Sequence, residues 1–162
     1  MIVASAGPVL VLSAALLACR RANVALAVVV VQAAVLAISA LSQRHYLAAA
    51  LLALFNAAGA GVLLFGRDTV SLLKPRVALP TRLAAAAVLA VLATPVSVPL
   101  AVVLLGILAT AASRDGTIQV LGLLTMQNGI ALAGLGLGTP EQIAAILPVI
   151  PGLALAARWR GA

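Results

Sequence analysis

Apolar runs fill this chain, broken at short intervals by small clusters of arginine, proline and polar residues. Runs at roughly 2–19, 22–42, 46–66, 82–94, 98–113, 117–137 and 141–157 each read as a helix that is apolar around its whole circumference. No Asp, Glu, Lys, Arg or His falls in the middle of any of them. Crossing ~30 Å of hydrocarbon at ~1.5 Å per residue takes about 20 residues. The pattern therefore predicts an all-α fold, a polytopic transmembrane helix bundle of about seven spans, with residues 1–162 forming one transmembrane domain and no soluble domain.

The ambiguous stretch is 82–113, where Thr94-Pro95-Val96-Ser97-Val98-Pro99 interrupts the apolar sequence. It reads either as a kink inside one long helix or as a tight loop between two short ones. A loop puts Arg20, Arg21, Arg67, Lys74, Arg76, Arg82, Arg114, Arg158 and Arg160 together on the cytoplasmic side and leaves only Arg44 outside. A kink moves Arg114, Arg158 and Arg160 out to join Arg44. Basic residues are retained on the cytoplasmic face, so the loop reading is preferred, with the N-terminus outside and the C-terminus inside. The longest loop, 67–81, combines Asp68, Lys74 and Arg76 with Leu72-Leu73 between prolines and is expected to meet a neighbouring subunit or lipid headgroups.

Composition sharpens this picture. Hydrophobic residues make up 65% of the 162 and charged residues 8%, and the mean hydropathy of +1.27 lies outside the range of soluble domains. The formal charge of +7 falls at the ends of apolar runs, where it suits lipid phosphates rather than nucleic acid. Arg20 and Arg21 follow the first run and no basic residue precedes it, the reverse of an export signal, so that run is expected to be a retained helix. Cys19 is the single cysteine, which excludes an internal disulfide.

Candidate chemistry is confined to the amides Gln32, Asn56, Gln119, Gln127 and Asn128, with several Ser and Thr beside them. A buried amide needs a partner, and an interhelical hydrogen bond of ~1 kcal/mol is the usual outcome. Gln127 and Asn128 are adjacent, point about 100° apart around their helix and can serve different neighbours. Small-residue steps such as Ala57 to Gly61 and Gly134, Gly136, Gly138 are expected to let helices approach closely. Tyr46 and Trp159 read as interfacial anchors, Phe55 and Phe65 as packing residues, and the scarcity of aromatics suggests that other subunits cover much of the perimeter. His45 has no second ligand in its turn, Asp68 and Asp115 adjoin arginines, and Glu141 follows Pro140 at a helix start. No catalytic residue, metal site or phosphate-binding loop is predicted.

The segments Leu104-Leu105-Gly106-Ile107-Leu108 to Ser113-Arg114, Gln119-Val120-Leu121-Gly122-Leu123-Leu124-Thr125-Met126-Gln127-Asn128-Gly129 and Leu155-Ala156-Ala157-Arg158 resemble component E of the hydrogenase-four and formate-hydrogenlyase membrane arm. That family is related to the K subunit of respiratory complex I and the C subunit of multisubunit sodium/proton antiporters. The N-terminal half agrees loosely, in span order and at Gln32 and Arg67. The resemblance implies a bacterial cytoplasmic (inner) membrane location. It also implies a structural subunit linking a redox module to antiporter-like proton-translocating subunits, with iron-sulfur and nickel-iron centres in partner chains and no cofactor on this one. Family members carry an acid immediately before the Asn-Gly pair, where this chain has Gln127. They also tend to carry a lysine in the third span, at Asn56 or Ala57 here, and an acid in the last span, near Pro148 to Pro151. An amide can hydrogen-bond and hold water but does not titrate, so the carboxylate relay is expected to be lost. Two readings from other classes stay open: a small autonomous transporter or channel, which would use these amides, and a membrane anchor or assembly protein.

Overall fold

The computed structural model describes residues 2–65 and 77–139. Within them the chain is helical: α1 (Ile2–Ala18), α2 (Ala22–Ser42), α3 (Tyr46–Phe65), α4 (Leu79–Ala93), α5 (Val98–Ala111) and α6 (Gly116–Leu137). The expected span at 141–157, the loop residues Arg67, Asp68, Lys74 and Arg76, and Glu141, Arg158, Trp159 and Arg160 lie outside the described residues. Among the described residues two helices, α2 and α6, are long and apolar enough to cross a membrane.

The stretch at 82–113 is two helices, not one kinked one. Pro95 and Pro99 lack the N–H groups that a continuous helix would need there. Ser97 adopts an extended backbone (φ −167°, ψ 122°), and its Oγ accepts from Leu100 N at 3.4 Å to cap α5. α4 begins at Leu79, ahead of the expected start at Arg82, because Pro80 fits the first turn of a helix. Asp115 caps α6 by accepting from Thr117 N at 2.8 Å.

Helix ends follow from local chemistry at the other turns as well. Gly138 ends α6 in the left-handed region (φ 72°), and Thr139 N reaches back to Gly134 O at 3.1 Å. The same arrangement ends α2, with Arg44 N donating to Leu41 O at 2.9 Å and His45 N to Ala40 O at 3.0 Å. There the left-handed position (φ 65°) belongs to Arg44, a residue with a Cβ, where glycine is the usual choice.

Short turns make sequential neighbours pack, and α2 and α6, α1 and α5, and α1 and α4 close the bundle. The most extensive contact is α5 against α6. Three glycines permit it. A Cβ on Gly106 would sit 2.7 Å from both Gly122 O and Met126 N, and one on Gly129 would sit 2.8 Å from Val103 Cγ2 and 3.0 Å from Pro99 O. A Cβ on Gly122 would overlap Thr110 Oγ1 and lie 2.8 Å from Gly106 O. Backbone therefore lies on backbone, the mode of association that small residues favour where apolar burial cannot discriminate. Of the steps expected from sequence, Gly134 is buried in α6, whereas Ala57 is exposed and Gly61, Gly136 and Gly138 have no described residue within 4 Å of an added Cβ. Close approach needs a neighbour at the right height, which residue size alone does not encode.

Two apolar clusters flank the middle of the bundle. One joins Leu16 and Leu17 to Ala25, Val29, Leu105, Ala109, Leu121 and Leu124. The other joins Val9, Leu36, Ala40, Leu52, Val102, Leu132 and Leu135.

Gly122→Ala is expected to lower stability by about 1–3 kcal/mol through overpacking. Gly136→Ala should be neutral or raise it by up to about 1 kcal/mol through helix propensity. Thermal unfolding of both variants in detergent micelles checks the contrast. Arg44→Gly should raise stability by about 1 kcal/mol in the same assay, because it relieves the left-handed backbone at that turn.

Candidate functional site: an oriented amide chain

Polar side chains are sparse in the described core, and one from each of α1, α2, α3 and α6 meets the others at one level. Gln32 is the central residue of α2, Asn56 lies near the middle of α3, and Gln127 and Asn128 lie near the middle of α6. Each is buried, and Gln32, Gln127 and Asn128 completely so. The two apolar clusters described above supply the rest of this interior, which makes every unmatched polar atom costly.

The hydrogen bonds form a chain with a defined direction. Asn56 Nδ2 donates to Leu52 O at 2.9 Å and to Asn128 Oδ1 at 3.4 Å. Asn128 Nδ2 donates to Gln32 Oε1 at 3.2 Å. Gln32 Nε2 donates to Ser13 Oγ at 2.7 Å and to Val9 O at 3.2 Å, and Ser13 Oγ donates to Val9 O at 2.7 Å. Backbone carbonyls only accept, so Leu52 O and Val9 O fix which atom of Asn56 and of Gln32 is nitrogen. Asn128, held between the two, has its orientation set by both. Both amide hydrogens of Asn56, both of Gln32 and the Ser13 hydroxyl hydrogen are committed. Successive amide dipoles align, and each bond polarises the next.

Three atoms stay outside this arrangement. Asn56 Oδ1 and both Gln127 Nε2 and Oε1 are buried without a hydrogen-bond partner among the described residues. Leaving such a group dry costs about 1–3 kcal/mol. Gln127 belongs to the same part of the bundle as the chain: Leu124, Gln127 and Asn128 are helical neighbours at spacings of three and four on α6. From that patch Asn128 reaches Asn56, and Leu124 packs against Gly59, where a Cβ would lie 3.2 Å from Leu124 Cδ1.

The remaining sequence candidates lie elsewhere. Gln119 lies in the first turn of α6, where its Nε2 reaches back to Ser113 O at 3.2 Å and its backbone O accepts from Thr110 Oγ1 at 3.4 Å. Arg20, Arg21 and Arg114 are exposed at helix ends. Arg82 is instead buried in the first turn of α4, with its Nε unpartnered among the described residues. Ser13 is the member of the chain that sequence reasoning passed over as one hydroxyl among several. Its signal was position, since it lies well inside the first apolar run. Among the described residues no three His, Cys, Asp or Glu side chains come together to hold a metal ion.

Against known protein families, characterised proteins and solved structures, the chain finds no match.

The geometry offers hydrogen bonding without titration: no carboxylate, ammonium or imidazole takes part in the amide chain. Gln32→Leu is expected to cost about 2–4 kcal/mol, because it strips Asn128 Nδ2 of its acceptor and Ser13 of its donor. Ser13→Ala should cost less, about 1 kcal/mol, since Gln32 Nε2 retains Val9 O. A double-mutant cycle of Gln32→Leu with Asn128→Leu, read by unfolding in micelles, should return a coupling of about 0.5–2 kcal/mol.

Proposed function

We propose that this chain is a multi-pass subunit of the bacterial cytoplasmic membrane, a bundle of about seven spans with its N-terminus outside. In this reading it is a structural component of a hydrogenase-like or complex I-like oxidoreductase, joining a peripheral redox module to antiporter-like subunits. The iron-sulfur and nickel-iron centres belong to the partner chains. This chain contributes packing, sealing and a hydrated amide path, without a carboxylate relay of its own.

The observation that carries the reading is the position of Gln127-Asn128-Gly129, the segment on which the family resemblance rests. Asn128 is the link between α2 and α3, Gly129 lies against Pro99 and Val103 of α5, and Gln127 is buried beside them. Two consecutive residues, Asn128 and Gly129, thus tie α6 to three neighbours, as a scaffold subunit requires. An autonomous transporter would need a charged or substrate-binding group at this level. The amide chain spends its donors on its own members instead.

Purification in mild detergent, followed by mass spectrometry, tests the reading. Co-purifying antiporter-like and hydrogenase-like or quinone-reductase-like subunits are the expected outcome, and a lone homo-oligomer would overturn it. Topology is checked separately in a Cys19→Ser background. A cysteine at position 44 should react with an impermeant maleimide in intact cells, whereas one at position 114 should react only after permeabilisation.

A further inference from the structure

The amide chain has a head and a tail, and they are chemically unlike. At the tail, Val9 O accepts from both Gln32 and Ser13. At the head, Asn56 Oδ1 is a buried acceptor with no donor among the described residues. Every carbonyl along the chain points toward that head, so the aligned dipoles place their negative end there. What fits is a species that donates a hydrogen bond. Gln127, on the same patch of α6, needs both an acceptor and a donor.

We propose that buried water completes the chain between α3 and α6, donating to Asn56 Oδ1 and bonding to the Gln127 amide. Water both donates and accepts, which the three atoms together require, and it is the species that ordinarily fills buried polar gaps. An anion would meet the negative end of the aligned amides, and a metal ion would find no carboxylate among the chain's members. The inference deepens the hydrated path of the preceding reading, but it stands on the amide geometry and not on the partner complex.

The test uses the full-length chain in micelles, with nitrogen-15 in the side-chain amides of Asn and Gln on a deuterated background. Rotating-frame cross-relaxation from water should reach the Gln127 side-chain amide, with the signal assigned by its loss in Gln127→Met. Gln32 serves as the internal control, because both of its amide hydrogens are committed to Ser13 and Val9. Absence of water contact at Gln127 would overturn the proposal. The melting temperature of Gln127→Met gives an independent sign: hydrated Gln127 makes the variant less stable, whereas a dry, unmatched amide makes it more stable and overturns the proposal. Neither readout depends on which subunits co-purify, so failure here and failure of the partner reading are distinguishable.

Discussion

A side-chain amide in an apolar interior must be matched, and that requirement organises the middle of this molecule. Two backbone carbonyls, Leu52 O and Val9 O, act as fixed terminals because they can only accept. Between them Asn56, Asn128 and Gln32 have no freedom to turn over: reversing one amide would set nitrogen against nitrogen or oxygen against oxygen. The rotational setting of α1, α2, α3 and α6 about their own axes follows from this, since each must present its polar residue at one level. Leucine and alanine, which surround the site, pack nearly as well at many rotations and would leave that choice open.

The contact between α5 and α6 answers a different need. Both α5 faces and most of α6 are apolar, so hydrophobicity does not specify which surfaces meet. Gly106, Gly122 and Gly129 do, by allowing backbone to reach backbone in one register only. The two devices are joined through consecutive residues: Asn128 belongs to the amide chain and Gly129 to the glycine contact. A shift of α6 that damaged one would damage the other.

The helices were readable from the sequence because apolar runs and arginine- or proline-bearing breaks are local signals. The described boundaries fall close to the expected runs, and the charge argument that favoured a loop at Thr94 to Ser97 agrees with two separate helices there. Gln32, Asn56 and Asn128 stood out for a simple reason, that few amides occur in the apolar runs. Their connectivity was not readable, because it depends on which helices are neighbours. The same limit explains why Gly61 and Gly136 were singled out for close packing while Gly106 and Gly122 were not, and why Ser13 was indistinguishable from other hydroxyls. Burial of Arg82 is likewise a tertiary fact, set by how α4 lies against α1 and α5.

Asn128 followed by Gly129 is also the dipeptide most prone to spontaneous deamidation, in which the glycine nitrogen attacks the asparagine side-chain carbonyl, expels ammonia and closes a succinimide that water then opens to a carboxylate. That ring needs a backbone free to swing the glycine amide toward the side-chain carbon. Here the backbone is helical, the side chain is held by Gln32 and Asn56, and Gly129 lies hard against α5. Folding therefore acts as chemical preservation at this site. The native bundle keeps position 128 an amide, whereas a chain delayed in assembly would acquire there, with time, the negative charge that the interior otherwise excludes.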